Sequence, residues 1–179
     1  MSKYLAYSFL YDDAADLKCD FELLTDEIAS MIGLLRSLLD DTDLSAYPDL
    51  ADDLTRINEL MYHINPSLRT RVTVTPEELA WLLEKTERLQ ASARDALPKD
   101  GGLTFLVPQG CASAAYSHVI RSKCKTLVRL LSRYQQQGNR VDGILFDLVN
   151  VYSGYFYSLA LRLNKNHGVK EIPFKSRVY

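Results

Sequence analysis

Apolar residues recur every third or fourth position through most of this chain, the period of helices that each bury one face. Five segments carry the pattern. The first runs from about Asp20 to Leu39, with Phe21, Leu24, Ile28, Ile32, Leu35 and Leu39 in phase. The second runs from about Pro48 to Ile64 on Leu50, Leu54, Ile57, Met61 and Ile64. It closes at Asn65-Pro66, because the residue before a proline avoids helical dihedrals. The third has a sharp start: Thr75-Pro76-Glu77-Glu78 sets a threonine at N-cap, proline at the first helical position and glutamate at N3, a capping box. Its apolar face is Leu79, Leu82, Leu83 and Leu89, and Pro98 and Gly101-Gly102 end it. The fourth follows Pro108 and Gly110 to about Gln137, with Ile120, Cys124, Leu127 and Leu131 inward. After Gly138-Asn139 the fifth runs from about Val141 to Asn164 on Leu145, Leu148, Tyr152, Tyr155 and Leu159.

Strand signals are poor. Arg69 to Val74 alternates, and Leu103 to Val107 is compatible with extended chain, but neither has an evident pairing partner. Long helices joined by modest loops predict an all-α helical bundle. The expectation is one domain over residues 1–179, with an irregular N-terminal segment at 1–19 and an irregular tail at 165–179. No stretch reads as long enough for a membrane span, and no signal peptide is expected at the start.

Composition narrows the function classes. A net charge of -2 gives no basic excess of the kind that duplex binders show, so no nucleic-acid partner is expected. Cys19, Cys111 and Cys124 are odd in number and widely spaced, which fits a reducing cytoplasm rather than a disulfide framework. The chain has no Walker loop, no G-x-G-x-x-G and no Glu-x-x-His pair. His63, His118 and His167 are scattered, so no metal centre is expected.

The fourth helix carries the candidate chemistry. Arg121, Lys125, Arg129 and Arg133 follow one another at fourth positions, and no acid lies between Arg121 and Arg140. Such residues share a broad helix face. Two readings stay open: a phosphate clamp, since guanidinium groups grip phosphate oxygens bidentately, or the solvated face of a surface helix. Asp26-Glu27 is either the acidic partner of that stripe or an ordinary exposed pair. Asn150 sits among Leu148, Val149, Val151 and Tyr152, where an amide needs either a ligand or a neighbouring backbone group. Phe105 is core or lines a pocket at the mouth of the bundle. Cys124, at a core position, reads as a small apolar filler.

Taken together, these residues fall into a known register. Phe105-Leu-Val-Pro-Gln-Gly, then Ala114-Ala115, His118, Arg121 and Cys124, resemble the signature F-x-L-P-G-G…A-x-x-H-x-A-R-x-x-C-R-R-A-E-R of PduO-type ATP:cob(I)alamin adenosyltransferases. Asn150, Ser153, Tyr155, Leu159, Ala160 and Asn164 follow that family's N-R-L-S-D-Y-L-F-x-L-A-R-x-x-N. Asp26-Glu27, Ser30 and Ile32-Gly33-Leu34 resemble its D-E-L-N-S-x-I-G-L, and the segment from Val74 to Glu84 resembles its third-helix start. The resemblance spans roughly residues 20 to 165.

It implies a five-helix bundle of the cobalamin adenosyltransferase type, assembled as a homotrimer with active sites between subunits. It implies MgATP and cobalamin as reactants, with Co(I) attacking C5′ of ATP and displacing triphosphate. By position, Phe105 belongs to the corrinoid pocket, and Arg121, Lys125, Arg129 and Asn150 to the ATP site. Asp26 makes a cross-subunit pair with a helix-four arginine, so Asp26 and Arg121 are the catalytic candidates.

Departures from the family pattern cluster at the triphosphate. The family's Gly-rich T-R-T-G-D-x-G opening has no counterpart, since residues 1–32 hold no glycine. In C-R-R-A-E-R this chain has Lys125, Thr126 and Val128 for the two arginines and the glutamate, and Val151 and Gly154 replace an arginine and an aspartate in the last helix. Lysine does not reproduce the guanidinium fork, and fixed backbone donors aimed at a leaving group are the larger loss. The alternative reading is therefore a paralogue that binds corrinoid or nucleotide without catalysis, as carrier, sensor or partner subunit.

Overall fold

The structure is a computed structural model, and it describes residues 13, 15–93 and 105–178. Six α-helices appear among the described residues, rather than the five expected: α1 (Leu17–Ser37), α2 (Asp41–Ala46), α3 (Leu50–Ile64), α4 (Pro76–Ala93), α5 (Ala112–Gln136) and α6 (Gly143–Asn166). The extra one, α2, lies where Asp40-Asp41 and a polar loop were expected. Its stretch is too short to show a period, so local capping makes it. Asp40 accepts from the amides of Thr42 and Asp43, and Asp43 reaches back to the Asp40 amide. Helix α1 begins before the expected boundary at residue 20, because Asp16 caps the Lys18 amide at 3.0 Å. The expected end of the third helix at Pro98 lies outside the described residues.

The predicted core positions are mostly where the helical period puts them. Phe21, Ile28, Ile32, Leu35, Leu54, Ile57, Ile120, Cys124, Leu127, Leu131, Leu145, Leu148, Tyr152 and Tyr155 are fully buried. Leu83 is the exception: it sits on the outer side of α4 and is exposed. Thr75 and Glu78 exchange the two capping-box bonds at 2.8 and 3.3 Å, a motif that stabilises a helix start by about 1 kcal/mol. Burial drives the Cys124 thiol well up, so it stays a protonated apolar filler.

Helix α6 is the centre of the bundle and packs on both α5 and α4. By length and composition alone it is long and apolar enough to cross a membrane, contrary to the sequence expectation, yet 61% of that stretch is buried inside the protein. Tyr152 fixes it to α3 by donating to the Ile57 carbonyl at 2.7 Å. Its far end is tied to α2 and to the start of α5 through one buried carboxylate. Asp43 meets His167 Nε2 at 3.0 Å and accepts from the Ser113 hydroxyl at 3.2 Å. A polar group this deep is costly to bury without such hydrogen-bond partners.

The tail corrects a second expectation. Residues 105–107 do have a pairing partner: Leu106 forms an antiparallel bridge with Pro173, the Val107 amide donates to the Ile172 carbonyl at 2.9 Å, and the Phe174 amide to the Phe105 carbonyl at 2.7 Å. The partner lies more than sixty residues away, so alternation within either piece could not reveal it. Arg69 to Val74 is irregular chain.

Candidate functional site

Helix α5 is positioned from its first turn. Gly110 adopts a φ of 137°, and a β-carbon there would lie 1.8 Å from Asn164 Oδ1. Only glycine takes that backbone conformation without strain. The close approach lets buried Asn164 organise the loop: its Oδ1 accepts from the Cys111 amide at 3.1 Å, and its Nδ2 donates to the Gln109 carbonyl at 3.0 Å and to Glu171 Oε1 at 2.9 Å. One amide thus ties the end of α6, the entry to α5 and the C-terminal tail. Burial raises the Glu171 carboxyl, and the Asn164 bond opposes the rise.

Phe105 is 62% exposed, so it is not core. Opposed residues of an antiparallel pair share a face. The bridge at Leu106 and Pro173 therefore sets Phe105 beside Phe174, and Val107 beside Ile172. Phe174 and Ile172 are each about half exposed. Their place beside Phe105 was missed in the sequence, because only the tail pairing brings them there.

Arg121, Lys125 and Arg129 lie on successive turns of α5. Lys125 and Arg129 are exposed and form no ion pair with described residues. Arg121 is half-buried, with its guanidinium 5.7 Å from the Tyr157 ring centroid. Its Nε is buried and has no hydrogen-bond partner among the described residues. One turn earlier stands His118, only 5% exposed, with both ring nitrogens equally unpartnered. Burial, and then the Arg121 charge, pushes His118 down to about 4, so its imidazole is neutral at pH 7. A groove of about 460 Å³ runs along this face, lined by Pro108, His118, Val119, Arg121, Lys123 and Thr126 among others. It reaches from Pro108 to Arg121, and Lys125 and Arg129 do not line it.

The acidic pair divides. Glu27 binds Lys123 Nζ at 2.5 Å within the chain, whereas exposed Asp26 points to α3 and accepts from the Tyr62 hydroxyl at 3.0 Å. No Asp26–Arg121 ion pair forms within one chain. Asn150 is exposed on α6 rather than enclosed by its apolar sequence neighbours, and its amide has no partner among the described residues. Helical phase turns it outward beside buried Val149, on the same side of α6 as exposed Asp147.

The sequence pattern that describes the cobalamin adenosyltransferase family matches residues 23–163. The chain belongs to the cobalamin adenosyltransferase family. Among solved structures its fold is similar to a phenylalanine-to-histidine variant of a PduO-type ATP:corrinoid adenosyltransferase from Lactobacillus reuteri, complexed with cobalamin and ATP. The TM-score is 0.74 at 18% identity, over 90% of this chain and 85% of that one. A phenylalanine-to-alanine variant with the same ligands gives 0.74 at 18% identity, over 90% and 87% of the two chains. An arginine-to-lysine variant complexed with ATP gives 0.72 at 20% identity, over 89% and 88%. No curated protein matches the chain. Lys123 and Thr126 line the groove in this adenosyltransferase-family member beside the residues that the motif points to, and Tyr157 packs against His118 and Arg121.

Proposed function

We infer that this protein is a corrinoid adenosyltransferase that moves the 5′-deoxyadenosyl group of ATP onto Co(I) of cobalamin. The observation that carries the reading is the family match over residues 23–163, in which Arg121, the first cation of the α5 row, lines a partly apolar groove. Co(I) supplies the electron pair for the new Co–C bond at C5′. The C5′–O bond breaks, and triphosphate leaves with that bond's electrons.

In this reading Arg121, Lys125 and Arg129 take the triphosphate, where charge builds as the bond breaks. Asn150, exposed and unpartnered, binds the nucleotide through its amide. Phe105 faces the corrinoid. Asp26 points away from Arg121 of its own chain, so a pair between them requires a second copy; the working unit is then a homotrimer with sites between subunits, in the cytoplasm. Mg²⁺ enters bound to the phosphates of the nucleotide.

Anaerobic incubation with a Co(I) corrinoid and MgATP tests the reading. The expected result is a light-sensitive adenosylated corrinoid; a folded protein that never forms it would overturn the assignment. A second reading, a binding paralogue without turnover, is favoured by one feature, the substitution of Lys125, Thr126 and Val128 for the charged family residues. It predicts corrinoid or ATP binding in the same assay with no product.

A further inference from the structure

We propose that His118 is a corrinoid-recognition residue, giving a hydrogen bond to, and accepting one from, a peripheral carboxamide of the corrin ring. This rests on the adenosyltransferase reading and names the group that reads the substrate. His118 lines the α5 groove, is 5% exposed, and has no hydrogen-bond partner at either ring nitrogen among the described residues. Buried polar atoms in native proteins are nearly always paired. Tyr157 packs against the ring with centroids 6.1 Å apart, and Arg121 stands one turn along. Neither supplies a bond to it. Within one chain nothing satisfies the ring, and its place in the groove assigns the partner to the molecule bound there.

The chemistry of the pair identifies that group. A neutral imidazole offers one donor and one acceptor. The phosphates of a nucleotide are predominantly anionic acceptors at neutral pH, and their charge would favour the imidazolium. A primary carboxamide offers both functions without charge, and a corrin ring is rimmed with them. The groove walls agree: Pro108, Ala115 and Val119 are apolar beside His118, and Pro108 lies three residues from Phe105.

The test uses full-length protein with MgATP, titrated anaerobically with cob(II)inamide and followed by absorbance. His118→Phe is expected to weaken cobinamide binding about tenfold while leaving ATP affinity within about twofold; His118→Gln, which keeps a donor and an acceptor, recovers most of the loss. A panel of corrinoids, each with one carboxamide converted to its methyl ester, adds the decisive arm. One ester should bind the native protein more weakly yet suffer no further loss with His118→Phe.

Uniform losses across the whole panel would overturn the proposal. So would a loss of ATP affinity, an altered oligomeric state in His118→Phe, or unchanged cobinamide binding. Native protein that adenosylates corrinoid while His118→Phe binds it normally sinks this inference alone. Native protein that neither binds nor adenosylates corrinoid sinks both.

Discussion

Asn164 occupies the space in which Gly110 would carry a side chain, with its Oδ1 1.8 Å from the β-carbon that an alanine would place there. Gly110→Ala would meet this contact and a positive φ at once. The Asn164 amide would have to leave its bonds to Cys111, Gln109 and Glu171. The expected cost is about 2–4 kcal/mol, since strained backbone and a broken buried network add. Urea unfolding measures it. A cost below 1 kcal/mol would show that the loop yields freely and does not fix the α5 entry.

The direction of Asp26 separates two roles for it. Within the chain it holds only the exposed Tyr62 hydroxyl. Tyr62→Phe should therefore leave activity unchanged and stability within about 0.5 kcal/mol. Asp26→Asn should lower kcat/KM for both substrates by about tenfold or more, if it meets a partner subunit's arginine as a buried charge pair. Steady-state kinetics and sedimentation on both variants check this. Equal behaviour of the two would mean that Asp26 does no more than bind Tyr62.

Much of this was legible in the chain because helical period and capping are local signals. Phe21 to Leu35 and Leu145 to Leu159 repeat strongly enough to be placed on buried faces. Thr75 and Glu78 announce a helix start within four residues. Arg121, Lys125 and Arg129 share a helix, so their spacing alone set them on one face. What stayed hidden depended on pieces too short to show a period, on the width of a buried stripe, or on partners far apart in sequence. Helix α2 exists through one Asp40–Asp43 exchange too short to show a period. Phe174 joins Phe105 only because the tail folds back. Leu83 follows the leucine period of α4 but falls beyond the width of the buried stripe. The unpartnered nitrogens of His118 are visible only once its neighbours are known.

Lys125 gives a gain-of-function test. It is exposed on the stripe and forms no ion pair among the described residues. An arginine there restores a planar fork able to grip two phosphate oxygens. Lys125→Arg should lower KM for ATP about threefold to tenfold, and Lys125→Ala should raise it by a similar factor, with smaller effects on corrinoid KM. A Lys125→Ala variant with unchanged ATP kinetics would remove this residue from the nucleotide site.

His118 also makes stability depend on pH, in a direction fixed by its environment. Burial and Arg121 hold its folded value at about 4, below the ordinary 6.5. A base depressed in the folded state is neutral there while the unfolded chain takes up a proton. The contribution to stability is therefore full above pH 6.5 and falls as pH drops from 6.5 towards 4. At 1.36 kcal/mol per unit it amounts to at most about 3.4 kcal/mol. Urea unfolding of the native protein and of His118→Gln, at pH 7 and pH 5, isolates it. The native protein should lose more stability than His118→Gln over this interval, because glutamine does not titrate and all other groups are shared. Equal losses in the two proteins would show that the imidazole takes up its proton without cost, and that its nitrogens are not enclosed.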